Sequence, residues 1–158
     1  MPPNEPSLSA GLKAEVAAWQ ALLNVLAEEE RALVDGEADR LAQLNASKLS
    51  QLQNLGKLAS ARQVDLLAAG CTADYSGMES WLAQHGDPES RDGWQVLCDL
   101  EGEARAMNER IGALIDLRLA STRQALNVLV HAATHRNGLY DQAGLAVAAR
   151  TGKPLTAA

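Results

Sequence analysis

Leucine and its apolar equivalents recur every three or four residues along most of this chain, which is the signature of amphipathic helices. Leu12, Val16, Trp19, Leu23, Leu26 and Leu33 follow one another at spacings of 4, 3, 4, 3 and 7, and Glu28, Glu29, Glu30 and Arg31 carry the polar side. The pattern predicts a first helix over about 9–34, with Ser7 or Ser9 as its cap. Asp35-Gly36 punctuates it: glycine relieves the left-handed conformation that ends a helix, and Asp35 or Asp39 is placed to cap the next one. A tight turn and a kink in one continuous helix both satisfy these residues. Leu41, Leu44, Leu49, Leu52, Leu55, Leu58, Leu66 and Leu67 then predict a second helix over 38–69, about 45 Å long at 1.5 Å per residue.

Residues 70–77, GCTADYSG, have no period and read as a loop. A short helix is expected over 78–84, carrying Trp81, and Gly86-Asp87-Pro88 ends it. Proline fits the first turn of a new helix. That helix, expected over 89–134, is the longest: Trp94, Leu97, Ala104, Met107, Ile111, Leu114, Ile115, Leu119, Leu126, Leu129 and Val130 keep the 3–4 spacing, with Asn108, Arg118 and Thr122 interrupting it. A span of about 65 Å exceeds what a small globular core needs and suits a coiled coil or extended bundle. The fold class is therefore all-α: an elongated antiparallel helical bundle or coiled coil of three long helices and one short one. Residues 1–8 hold Pro2, Pro3 and Pro6, and 136–158 are rich in glycine, so both termini are expected to be disordered, leaving 9–135 as the bundle domain.

Composition agrees. The chain of 158 residues is 47% apolar but only 3% aromatic and has no Phe, so strand formers are scarce. The formal charge is −6. Residues 1–136 carry 19 acidic and 12 basic side chains, and 137–158 carry Asp141 against Arg150 and Lys153. An acidic chain without a basic cluster is a poor nucleic-acid partner. The start, MPPNEPSLSAG, lacks a secretory signal's basic and apolar regions, and no stretch approaches the ~18 apolar residues of a membrane span. Cys71 and Cys98 form no CxxC and read as free thiols of a reducing cytoplasm.

Catalytic chemistry finds little support. GxSxG, P-loop and GxGxxG motifs are absent, and no histidine has a Glu three residues before it, as a di-iron bundle requires. His131 and His135 share a helix face but make only two ligands, short of zinc's closed set, and suit a helix C-terminus as ordinary surface residues. No cofactor, metal or enzymatic activity is expected. Trp19, Trp81 and Trp94 read as core anchors of a Phe-free protein, with a binding hot spot as the alternative. Tyr140, in Gly138-Leu139-Tyr140-Asp141, has no predicted helix to pack on; either it folds back on the bundle or it belongs to a docking motif.

Two segments together resemble the FlgN family of bacterial flagellar export chaperones. The first is LLNVLAEEERALVDGEADRLAQLNASKLSQLQNL, residues 22–55: a leucine-rich helix, an acidic run, a small turn, and a leucine helix with a lysine at Lys48. The second is NERIGALIDLRLASTRQALNVL, residues 108–129, followed by LYDQAG, residues 139–144. Residues 70–93 match nothing in the pattern. The resemblance implies a cytoplasmic chaperone that binds the C-terminal helices of hook–filament junction (hook-associated) proteins and delivers them to the flagellar type III export gate. It implies a substrate-helix surface at Asn108, Ile111, Ile115, Leu119, Thr122, Leu126 and Leu129, and gate docking by Leu139, Tyr140, Asp141 and Gly144. Such a surface requires Ile111, Ile115, Leu119 and Leu126 to lie partly exposed. The rival readings are a structural coiled-coil or homodimerisation module and a metal-binding bundle enzyme.

Overall fold

The computed structural model describes residues 5–137, with side chains from Leu8 to His135. Four helices account for nearly all of it: α1 (Glu5–Asp35), α2 (Ala38–Ala68), α3 (Tyr75–His85) and α4 (Pro88–Asn137). The chain divides after Ile115 into two units, each taken by itself below.

In the first unit, α1 begins four residues before the expected start. Pro6 lies within its first turn, where the missing N–H costs nothing, and Leu8 is buried, so residues 5–8 belong to the helix rather than to a disordered terminus. Ser9 is inside the helix and hydrogen-bonds through its hydroxyl to Ser90 Oγ (3.1 Å), so it does not cap α1. The link after α1 is a turn. Gly36 takes a left-handed φ of 75°, and the Glu37 N–H donates to the Ala32 carbonyl (2.9 Å). Neither Asp35 nor Asp39 caps α2; Glu37 holds that position without a side-chain bond. The end of α2 repeats the device, with Gly70 at φ 78° and the Cys71 N–H donating to the Leu66 carbonyl (2.9 Å). This is the helix-ending arrangement that a glycine makes strain-free.

Ion pairs give the helix directions. Lys48 meets Glu29 (3.0 Å) and Arg62 meets Glu15 (2.8 Å), so α2 runs antiparallel to α1. Lys13 meets Glu89 (2.8 Å) and Arg110 meets Glu30 (3.2 Å), so α4 runs parallel to α1. Two apolar clusters fill the space between them. One contains Leu8, Leu12, Leu66, Met78, Trp81, Leu82, Trp94 and Leu97; the other contains Ala18, Leu22, Leu26, Leu33, Leu55, Ala104 and Ile111.

The inward stripe of α2 differs from a count of leucines. Leu44, Leu55 and Leu66 are buried, while Leu49, Leu52 and Leu67 are exposed. The buried and half-buried positions are 41, 44, 48, 51, 55, 58, 59, 62, 65 and 66, and they include a 3–4 stripe that passes through Lys48, Gln51 and Arg62. Lys48 and Arg62 turn inward because partners await them. Arg62 donates from Nε and Nη2 to both carboxylate oxygens of the buried Glu15 (2.8 and 3.2 Å) and lies 5.2 Å over the Trp94 ring. A fork-to-carboxylate geometry suits a charge taken out of water.

The segment with no matched pattern, 70–93, closes this end of the first cluster. α3 starts at Tyr75, three residues before the expected 78, because Asp74 caps it. The Asp74 carboxylate accepts from the Gly77 N–H (2.8 Å) and the Thr72 hydroxyl (2.6 Å), and those bonds hold its pKa below the usual 3.8. Gly77 is required: a Cβ there would sit 1.7 Å from the Thr72 carbonyl oxygen. Met78, Trp81 and Leu82 are then buried against Leu8, Leu12 and Leu66. Asp87 serves α4 in the same way, accepting from the Ser90 N–H (2.6 Å) ahead of Pro88.

The second unit's described part is the stretch 116–137 of α4. Every side chain from Asp116 to His135 is exposed. The described residues contain no helix long and apolar enough to cross a membrane.

Candidate functional site

The expected substrate-helix surface falls on both units. In the first, Asn108 is exposed, and its Oδ1 accepts from Lys48 Nζ (3.2 Å), which also pairs with Glu29. Lys48 thus ties α2 to both α1 and α4, and Asn108 is part of that internal link. Ile111 is 1% exposed and belongs to the second cluster beside Leu26, Leu33 and Leu55. The expectation that it lies at the surface is not met: its place on the 3–4 stripe is the place that faces α1 and α2. Ile115 is 39% exposed.

The second unit holds the rest. Leu119 is 48% exposed, Leu126 58% and Leu129 66%, with Thr122 exposed among them. Residues 119, 122, 126 and 129 follow 3–4–3 spacing and share one face of the helix. Thr122 returns its hydroxyl to the Arg118 carbonyl (2.9 Å), so its methyl is left to complete the stripe. Val130 lies beside this face and is exposed too. Among the described residues this apolar face is left exposed, and burial is what stabilises most helices in proteins. This face is therefore suited to a second helix.

A groove lies in the first unit. About 210 Å³ in volume, it is walled by Trp19, Leu22 and Leu26 of α1, Leu52 of α2 and Ala104 of α4, with Lys48 and Asn108 at its polar edge. The Trp19 indole N–H is buried and has no acceptor among the described residues. Trp81 and Trp94 are buried core residues. Trp94 Nε1 donates to Glu79 Oε1 (2.8 Å), and Tyr75 packs at 5.5 Å on its ring. The Glu79 carboxylate also raises the Tyr75 pKa. Burial raises the Cys98 thiol, with nearby Glu101 and Glu79 adding to the effect, which leaves it a poor nucleophile. Both cysteines are free thiols, and no group of three His, Cys, Asp or Glu among the described residues is placed to hold a metal.

The family model described as FlgN protein matches residues 1–148. The chain belongs to the FlgN family. It carries that family's general role, a chaperone of flagellar type III export that binds flagellar substrate proteins. No curated protein and no solved structure matches the chain. The match spans both helical units and extends over Leu139, Tyr140, Asp141 and Gly144, which lie outside the described residues, as do the remaining tail positions after 137 and the first four residues. Sequence reasoning missed Glu15, Arg62 and the groove beside Trp19. The signal for the first two was a charge at a position that keeps the 3–4 spacing.

Proposed function

We propose that this FlgN-family chain acts in the cytoplasm as a chaperone for the C-terminal helices of hook–filament junction proteins and hands them to the export gate. The observation that carries the reading is the exposed apolar face of Leu119, Leu126 and Leu129, bordered by Thr122, in a chain whose family chaperones flagellar export substrates. Ile115 offers a further exposed apolar side chain. Ile111 serves the interior instead, and Asn108 is exposed with its Oδ1 accepting from Lys48. Burying each exposed leucine against a substrate helix contributes about 1.5–3 kcal/mol, so three of them supply much of a micromolar affinity.

Calorimetric titration of the purified chain with a junction-protein C-terminal fragment tests the proposal. Binding at low micromolar concentration, abolished by Leu126→Asp with Leu129→Asp, is the expected result. No heat at tens of micromolar would sink it. The gate contact is assigned to Leu139, Tyr140, Asp141 and Gly144 on the family pattern. Tyr140→Ala is expected to abolish export in flagellated cells while leaving substrate binding intact; loss of both together would remove the separate docking role.

A further inference from the structure

The charge of this chain is divided at the boundary between its two units. Residues 1–115 carry 18 acidic and 9 basic side chains. Residues 116–137 reverse the balance, with Arg118, Arg123 and Arg136 against Asp116 alone. This basic stretch also carries the apolar face that is exposed among the described residues. Leu119, Thr122, Leu126, Leu129 and Ala133 recur at 3, 4, 3 and 4 residues, the seven-residue repeat of a coiled-coil seam. At about 100° per residue, Arg118 falls on one edge of that seam and Arg123 on the other, within about a turn and a half of each other.

We infer that the occupant of this seam is an acidic amphipathic helix: an apolar seven-residue repeat flanked on both sides by Asp or Glu that meet Arg118 and Arg123. The inference rests on the chaperone reading and adds the chemistry by which a substrate helix would be selected. The flanking positions of a coiled coil decide the choice of partner more than its strength, and like charges there reject as opposite charges attract. A second copy of this chain fits poorly. In a parallel, in-register pair, Arg118 of one copy meets Arg123 of the other twice over, and 116–137 offer only Asp116 in return. The chain's own residues 138–158 fit no better, since Asp141 is their one acid beside Arg150 and Lys153.

The test uses the full-length chain and two labelled amphipathic peptides of about four heptads, with identical Ile and Leu seams and either Glu or Lys at every flanking position. The Glu peptide is expected to bind about tenfold more tightly than the Lys peptide at low salt, the gap closing as salt rises. Arg118→Glu with Arg123→Glu is expected to invert the preference. Equal affinities, or a Lys preference by the unmodified chain, would overturn the inference. A junction-protein C-terminal fragment is titrated in parallel. If it binds the unmodified and charge-reversed chains alike, the acidic-partner inference falls and the chaperone reading stands. If it binds neither while the Glu peptide keeps its preference, the chaperone reading falls and the docking chemistry stands. Sedimentation of the chain alone is expected to give a monomer; a dimer dispersed by Leu126→Asp would identify a second copy as the occupant and overturn the proposal.

Discussion

The two units break the ordinary hydrophobic rule in opposite directions. In the first, charged side chains turn inward: Glu15 is buried, Arg62 reaches it across the interface with α2, and Lys48 links Glu29 to Asn108. In the second, apolar side chains turn outward along 119–130. The inward charges have their partners within the unit. The outward leucines have none among the unit's described residues. The first unit pairs its helices through a polar as well as an apolar interior, and the described part of the second exposes an apolar face.

Hydrogen exchange along α4 gives the widest expected separation. Amides near Trp94–Ile111, backed by both apolar clusters, are expected to exchange about a thousandfold or more slower than those of 116–135, which open locally. A partner helix should slow the second set selectively. Uniform protection along α4 in the free chain would erase the distinction.

Next in size is the buried pair. Glu15→Ala leaves Arg62 without its carboxylate and is expected to cost the first unit about 3–5 kcal/mol in urea unfolding. Replacing both, as Glu15→Leu with Arg62→Met, should recover most of that. If the double variant is as unstable as the single one, Arg62 matters through Trp94 rather than through Glu15.

Ile111 and Leu126 lie on the same helix and allow a direct contrast. Ile111→Ala is expected to lose about 2–5 kcal/mol of stability through the cavity it leaves. Leu126→Ala should change stability by no more than about 0.5 kcal/mol yet weaken binding of a substrate fragment at least several-fold. Equal stability losses would mean that Leu126 is covered in the free chain.

The smallest effect concerns acid. Asp74 and Asp87 both have folded pKa values below the ordinary 3.8, Asp74 from the Thr72 hydroxyl and the Gly77 N–H, Asp87 mainly from the Ser90 N–H and hydroxyl. A lowered folded value means that the native state binds fewer protons than the unfolded one in this range. Their contribution is therefore complete above 3.8 and is lost as pH falls through the lowered folded values. Thermal melts of Asp74→Asn and Asp87→Asn should show less dependence on pH below that point than the unmodified chain. An unchanged acid profile would mean that these caps are not what titrates.

Much of this was legible in the residues. The helix period, the glycine at 36, and Pro88 opening α4 are local signals, and local chemistry decides them. What a hydropathy pattern misreads is a charge whose partner is far away in sequence. Lys48 and Arg62 sit on the inward face of α2, but only Glu29 and Glu15, on another helix, show why. Counting leucines does not separate Leu49, Leu52 and Leu67, which the structure leaves exposed, from the buried Leu44, Leu55 and Leu66. Ile111 was misplaced for the converse reason: one continuous 3–4 stripe runs along α4, and nothing in its spacing marks where the neighbours stop. The cap at Asp74 was readable in principle, since an Asp three residues before Gly77 can bond its N–H, but the surrounding glycines suggested a plain loop.

The tryptophans add a practical consequence. All three, Trp19, Trp81 and Trp94, lie before residue 116. Intrinsic emission is thus a one-sided gauge, recording what happens to the first unit and staying dark to events confined to 116–137. A tryptophan-free ligand that occupies only the leucine seam should leave the spectrum where it was. One that also enters the groove beside the Trp19 indole should move it, so a single cuvette can tell the two modes of engagement apart.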